Sequence, residues 1–251
     1  MLDKNIKISF NNEKLGIVDE EIINRLFNNP PKIVGVKEGL CSIAKDPLNE
    51  KLKVLKVKYP GKIIQESKTR WRLVFNKSFE SATVTYRVMF PVGFEFVRGG
   101  KLPGFYGGTA PRGGMKSDAG DGFTARIMWR ENGEIFQYMY WVERKKEKNW
   151  GDDLPCIDID GDMQPFKFTL GQWHTLTTRI VMNTPGNNDG SITSWFDGKL
   201  ALSTISTFRA EGMNYGIDSF MFTTFFGGND LTWAPKKDEY VYFGDINIEL
   251  E

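Results

Sequence analysis

Between residues 99 and 141 the chain places a lysine, two arginines and two tyrosines close enough in sequence to serve one bound anion. Lys101 lies in GGKLPGFYGG, and Arg126, Arg130, Tyr138 and Tyr140 lie in FTARIMWRENGEIFQYMYW. Cations and phenols together suit β-elimination on a uronic acid, in which the proton on C5, next to the carboxylate, is removed and the C4 oxygen leaves. The main obstacle is the negative charge that spreads onto the carboxylate as the carbanion forms. Groups that hold the carboxylate stabilise this developing dianion more than the ground state, and that difference is the source of catalysis. A tyrosine can act as base if neighbouring cations lower its pKa from about 10, and as acid toward the leaving oxygen. Arg126 and Lys101 are the candidate cations.

A β-hairpin must position these groups, since Asn132-Gly133 joins two alternating runs. With a two-residue loop Glu131 pairs with Glu134, and Arg126 falls opposite Met139, on the other face from Tyr138 and Tyr140. A three-residue loop, Glu131-Asn132-Gly133 with Gly133 left-handed, pairs Arg130 with Glu134 and flips the faces. Phe123, Ala125, Ile127 and Trp129 then share a nearly apolar face with Ile135, Gln137, Met139 and Trp141. Thr124, Arg126, Met128 and Arg130 oppose Tyr140, Tyr138, Phe136 and Glu134. The second register segregates apolar from polar side chains and is the one predicted. It sets Arg126 across from Tyr138 and Thr124 across from Tyr140. A plainer reading stands beside the chemical one: tyrosines alternate on many half-exposed strands, arginines stack on them, and a lysine among glycines can be a solvated loop tip.

Composition narrows the classes. With 33 Lys plus Arg against 32 Asp plus Glu, net charge offers nothing to nucleic acid or membranes, so attraction for an anion must be local. Cys41 and Cys156 fit no metal or redox spacing and read as two free thiols. MLDKNIKISF lacks the apolar run of a signal peptide, and no segment approaches the ~20 apolar residues of a membrane span. Glycoside hydrolysis needs two facing carboxylates, and no E-x-D-x-x-E-like string lies on a predicted strand. The only histidine, His174, has no G-x-S-x-G partner and reads as a packing or substrate-contact residue. Asp158, Asp160 and Asp162 resemble part of a calcium loop but lack its closing glutamate, which favours a plain turn and no metal. The charged run ERKKEKNWGDD reads as a solvated loop, with a lid over a cleft as the lesser alternative.

The surrounding elements are almost all strands. Asp19 can cap one short helix, Glu20 to Phe27, stopped by Asn28-Asn29-Pro30-Pro31. LKVLKVKYP reads as an edge strand guarded by lysines 51, 53, 56 and 58. WRLVFN, ATVTYRVMF and FEFVRG follow as strands, the last leading into a glycine-rich loop that carries Lys101. GQWHTLTTRIVMNTPGNNDGSITSWFDGKLAL gives two long strands and a tight Asp197-Gly198 hairpin, and resembles the concanavalin-like lectin and glucanase sandwiches. FMFTTFF and YVYFGDINIEL end the chain, the second as a closing strand. The sum is an all-β, antiparallel two-sheet β-jelly roll sandwich, concanavalin-like, with a concave substrate cleft. Residues 1–251 form a single domain in this reading, with 1–50 a peripheral N-terminal segment packed on the sandwich.

A lysine in K-L-P-G-x-Y-G-G, a hydroxyl residue and arginine as [ST]-x-R, and Y-x-Y twelve residues beyond the arginine resemble polysaccharide lyase family 14, in particular the alginate-lyase-like enzymes of chlorella viruses. The matching positions are Lys101, Thr124, Arg126, Tyr138 and Tyr140. The resemblance implies β-elimination of polyglucuronate or of alginate and polymannuronate, without an obligatory cofactor. Lys101 and Arg126 would contact the uronate carboxylate and the two tyrosines would handle the protons. Arg130, Gln137 and His174 are further candidates for holding the sugar. Family members have serine where this chain has Thr124, which keeps the hydroxyl and adds a methyl. The resemblance further implies a virus-encoded enzyme acting on an algal host cell wall; the expected partner is an acidic polysaccharide, with no nucleic acid and no membrane, and the chain is expected to be a monomer. A non-catalytic lectin-like module that holds an acidic glycan in the same groove is the alternative function.

Overall fold

The computed structural model describes residues 4–64, 68–117, 119–143 and 150–251. In chain order its strands are β1 (Asn5–Ile8), β2 (Gly16–Ile17), β3 (Cys41–Asp46), β4 (Asn49–Tyr59), β5 (Thr69–Phe79), β6 (Ser81–Met89), β7 (Gly99–Gly108), β8 (Gly122–Arg130), β9 (Ile135–Tyr140), β10 (Asp152–Pro155), β11 (Trp173–Val181), β12 (Gly190–Phe196), β13 (Lys199–Ser206), β14 (Ile217–Phe226) and β15 (Glu239–Leu250). One helix, α1 (Glu20–Leu26), interrupts them, and the Asp19 side chain caps it by accepting from the Ile22 N–H at 2.9 Å. Asn28 and Asn29 then turn left-handed, both at φ 53°, and end it.

The strands form two antiparallel sheets. One runs β13-β12-β11-β6-β15-β4-β3-β2, with β1 also on β15; the other runs β10-β9-β8-β7-β14-β5. This is the expected jelly-roll sandwich, and its core lies between the sheets because the period-2 apolar positions of both face inward. Trp71 of β5 stacks on Phe222 of β14 with centroids 4.6 Å apart, and Trp129 of β8 stacks on Tyr59 of β4 at 6.0 Å. A fully buried phenylalanine contributes about 1.5–3 kcal/mol here, so the aromatic layer is a large part of what holds the sheets together. Among the described residues no helix is long and apolar enough to cross a membrane.

Four sequence readings change. LKVLKVKYP is no edge: β4 lies between β15 and β3, and its lysines take the solvent face of an interior strand, Lys56 resting 4.0 Å from the Tyr240 ring centroid. Residues 1–50 supply β1, β2, β3 and α1, with Phe10, Ile23 and Phe27 fully buried, so this segment is built into the sandwich. FEFVRG forms turns, with Phe94 packed into the aromatic core. The glycine-rich stretch around Lys101 is itself a strand, β7. Its glycines are what let it lie there: a Cβ on Gly100 would come within 2.0 Å of the Trp129 indole, and one on Gly104 within 2.1 Å of the Ala125 carbonyl.

The two cysteines are free and buried, and burial pushes each thiol up to about 12. Asp158 pairs with Lys199 at 2.8 Å within the turn that the three aspartates share. Most of the charged run, residues 144–149, lies outside the described residues.

Candidate active site

The β8–β9 register decides which groups share a face. The Arg130 N–H donates to the Glu134 carbonyl at 2.8 Å, Arg126 lies across from Tyr138, and Thr124 lies across from Tyr140. Asn132 and Gly133 both take positive φ, 59° and 76°, which is the three-residue turn the face pattern called for. Phe123, Ala125, Ile127, Trp129, Ile135, Met139 and Trp141 therefore enter the core. Met128, Tyr138 and Tyr140 cluster on the outward face of the six-stranded sheet.

Lys101 reaches this face because of a bulge. The pairing of β7 with β8 shifts between Lys101 and Gly104, where Pro103 has no N–H to give to the ladder. Lys101 then sits opposite Met128, with its ammonium 4.8 Å from the Tyr138 ring centroid and 5.5 Å from that of Phe225. The Arg126 guanidinium is shared between two rings, 5.8 Å from Tyr138 and 5.9 Å from Tyr106. Arg126 is 4% exposed, and its Nε is fully buried with no partner. Among the described residues its guanidinium has neither a hydrogen bond nor a carboxylate within ion-pair distance.

Above these groups opens a cleft of about 480 Å³, floored by Lys101, Met128, Tyr138 and Tyr140 and walled by Gly113-Gly114, Trp150-Gly151 and the Gly228–Trp233 segment. The Gly151 N–H donates to Tyr138 Oη at 2.9 Å and the Gly114 N–H to Tyr140 Oη at 3.0 Å, so each wall loop fixes one phenol. Arg130 Nη2 donates to both carboxylate oxygens of Asp153, at 2.7 and 2.6 Å, and its guanidinium lies 5.7 Å from the Trp233 ring. Trp233 packs onto Gly228, where a Cβ would fall 2.0 Å from the indole, and Arg98 braces it at 5.1 Å.

Electrostatics separates Lys101 from Tyr138. Burial, then the nearby Arg126, Arg130 and Lys68, hold the Lys101 ammonium well below the usual lysine range, and only Asp153 opposes them. Burial, followed by Tyr140, pushes the Tyr138 phenol well up; the Gly151 N–H and Arg126 offset only part of this. The expectation that cations would lower the tyrosine is thus reversed for Tyr138, because a phenol taken out of water resists ionisation more than one guanidinium helps it.

Not every candidate joins the cleft. Thr124 is fully buried, and its hydroxyl donates to the Pro111 carbonyl at 3.1 Å, pinning the loop that carries Gly114. Gln137 faces inward, fully buried, and accepts from Ser194 Oγ at 3.1 Å across the sandwich, as strand alternation beside Tyr138 requires. His174 belongs to the other sheet, where Nδ1 lies 2.7 Å from Asp197 and Nε2 accepts from the Thr169 N–H at 2.9 Å while the ring stacks on Phe196. Neither Gln137 nor His174 can touch a sugar in the cleft, and both are corrected to structural roles. Trp233 went unread, and Trp150 and Asp153 were read only within the charged run ERKKEKNWGDD; a loop residue and strand β10 bring those two to the cleft wall. A Gly-Gly pair just ahead of L-T-W was the available signal for Trp233. Asp153 is the one carboxylate among the described residues lining the cleft, and Arg130 engages it, so the facing pair needed for hydrolysis is missing from them.

A jelly-roll sandwich with a cationic, tyrosine-floored cleft on one sheet defines a carbohydrate-active class of protein. The polysaccharide lyase 14 family model matches residues 48–246, and the chain belongs to that family; it is a polysaccharide lyase. Similar solved structures include the alginate lyase Aly36B, at 22% identity and TM-score 0.81 over 100% of both chains. A marine alginate lyase from Aplysia kurodai superposes with TM-score 0.75 at 20% identity over 98% of both chains. One from a Chlorella virus gives 0.66 at 21% identity, covering 89% of this chain and 100% of that one. No curated protein sequence matches.

Proposed function

We propose that this lyase cleaves a uronate-containing polysaccharide, polyglucuronate or alginate and polymannuronate, by β-elimination that leaves a C4–C5 unsaturated uronate end. The observation that carries this reading is Arg126: a nearly buried guanidinium without a carboxylate or hydrogen-bond partner among the described residues, 5.8 Å from the Tyr138 ring on the face that carries Lys101. A buried charge left unpaired in the free protein costs stability, and an incoming carboxylate is what would satisfy it. Neighbours of the same fold, variants of Aly36B, hold alginate tri- and tetrasaccharides, which supports an anionic glycan as the occupant.

The roles follow from the electrostatics. Arg126 draws the carboxylate toward the floor and stabilises the charge that builds on it when C5 loses its proton. Lys101, whose ammonium is held below the usual lysine range by burial and its cationic neighbours, is the group suited to take that proton. Tyr138 stays protonated and donates to the departing O4, and Tyr140, hydrogen-bonded to Gly114, orders the same end of the cleft. Thr124 acts as a positioning residue through Pro111.

The test is to incubate the protein with purified polyglucuronate, polymannuronate and polyguluronate and to follow the ultraviolet absorbance of the unsaturated uronate. Growth with at least one polymer is expected; no growth with any of them would overturn the reading.

A further inference from the structure

The outward face of the six-stranded sheet carries a second set of cations beyond the cleft just described. On β5, Trp71, Leu73 and Phe75 are buried in the core, so alternation turns Lys68, Arg70 and Arg72 outward, onto the face that holds Lys101 and Arg126. The string K-T-R-W-R contains no acidic residue. Its three cations are part-buried, and among the described residues none of them makes an ion pair or a side-chain hydrogen bond. Asp218, held by Ser219 and the Gly108 N–H, feels Arg72 but lies outside ion-pair distance. Charges on an edge strand can simply discourage pairing. That purpose does not require three cations without an ion-pair partner among the described residues on the face that carries Lys101 and Arg126.

Strand register fixes their distance from the reacting groups. Phe225 of β14 pairs with Lys101, and the Lys68 ammonium approaches the same ring to 5.4 Å, so Phe225 bridges the two lysines. Arg72 pairs with Met221, Met221 with Gly104, Gly104 with Arg126, and Arg126 with Tyr138, a single row across five strands. At 4.7–4.9 Å per strand, Lys68 stands roughly 10 Å from Lys101 and Arg72 roughly 14 Å from Arg126 along the sheet. A pyranose advances about one strand spacing per residue, so β5 lies two to three sugars from the reacting groups, and Lys68, Arg70 and Arg72 follow one another along it at roughly 7 Å intervals. The Lys68 ammonium is held below the ordinary lysine range by burial first and then by Arg70 and Arg126, in keeping with one continuous field.

We propose that Lys68, Arg70 and Arg72 form an arm of the cleft that grips the carboxylates of uronate residues two and three sugars from the bond being cut. The polymer then lies across the strands, with the reacting sugar over β7–β9 and its far residues over β5. Phe225 serves as the apolar step between them. This assignment rests on the uronate-lyase reading and adds a length requirement that the reading alone does not contain.

The experiment compares wild type with Lys68→Ala, Arg70→Ala, Arg72→Ala and the triple variant on uronate oligosaccharides from two to six residues and on polymer. Each single change should lower kcat/KM on hexamer and polymer about two- to fivefold, through KM with kcat kept, and leave the shortest cleavable oligomer unaffected. Arg70→Lys and Arg72→Lys should retain most of the rate and control for folding. An equal loss at every length, or none on the hexamer, would overturn the proposal. Mobility in native gels containing an acidic uronan or a neutral glucan is the second measurement. The triple variant should lose retardation only in the acidic gel, and unchanged retardation would also overturn the arm. If wild type produces no unsaturated sugar from any uronan, the lyase reading fails while the gel still decides the arm.

Discussion

The guanidinium of Arg126 lies 5.8 Å from the ring centroid of Tyr138, its cross-strand neighbour, and meets no carboxylate among the described residues. The pair joins a group that needs an anion to a group that resists becoming one. Replacing Arg126 by Met should therefore stabilise the empty protein, by about 1 kcal/mol or more, because it removes an uncompensated buried charge while keeping the volume. The same change should abolish turnover. Thermal denaturation and the absorbance assay read the two effects on one preparation; a lower melting temperature would show that the guanidinium stabilises the fold as it stands.

Lys101 should be replaceable by neither Arg nor Met without loss of activity. Arginine keeps the positive charge but cannot give up its proton at any working pH, so Lys101→Arg separates a base from a mere carboxylate anchor. A drop of 100-fold or more in kcat, on the order of general-base contributions, is expected with KM changed far less. Substantial turnover in Lys101→Arg would return the proton-abstracting role to a tyrosine.

The depressed pKa of Lys101 also carries a stability consequence. Below its folded pKa the ammonium is charged in both states and burial penalises the fold; between that value and the unfolded value near 10.4, only the unfolded chain binds the proton. Stability contributed at this site accordingly rises with pH through that window. Lys101→Met should be more stable than wild type at neutral pH, with the gap shrinking as pH approaches 10. Urea midpoints taken across this range check it, and a gap that does not change with pH would contradict the assigned direction.

Tyr138→Phe should remove activity by at least about 100-fold and leave oligosaccharide affinity within a few-fold, since the ring and its contact with Lys101 remain while the donor is lost. The rate should hold on the alkaline side past the ordinary tyrosine value of about 10, because Tyr138 keeps its proton there. An alkaline limb well below pH 10 that Tyr138→Phe leaves in place would assign the acid elsewhere.

Gly100→Ala should destabilise the protein by about 1–3 kcal/mol through overpacking, as the added methyl would meet the Trp129 indole and the Phe225 carbonyl. Activity per folded molecule should fall as well, because Lys101 is the next residue on that strand. Denaturation and rate measured together test it; an unperturbed Gly100→Ala would mean that Trp129 can move aside.

The sequence by itself determined the all-β antiparallel class, the helix after Asp19, and the hairpin register that sets Arg126 across from Tyr138. Each of these depends on contacts between near neighbours: a two-residue alternation, a side chain capping an N–H three residues on, a turn whose loop length fixes every partner. It also carried the family likeness, through the spacing of Lys101, Arg126 and the two tyrosines. Only the tertiary structure decided that the glycine-rich stretch is a strand, because that turns on an indole from β8 lying over Gly100. Tertiary structure likewise took Gln137 and His174 into packing and brought Asp153, Trp150 and Trp233 to the cleft. Trp150 and Trp233 are separated along the chain by tens of positions, and no local pattern records which strands will become neighbours. Burial reversed the expected ionisation of Tyr138 for the same reason: desolvation is a property of the whole shell around a phenol, and that shell exists only once both sheets and their loops have closed over it.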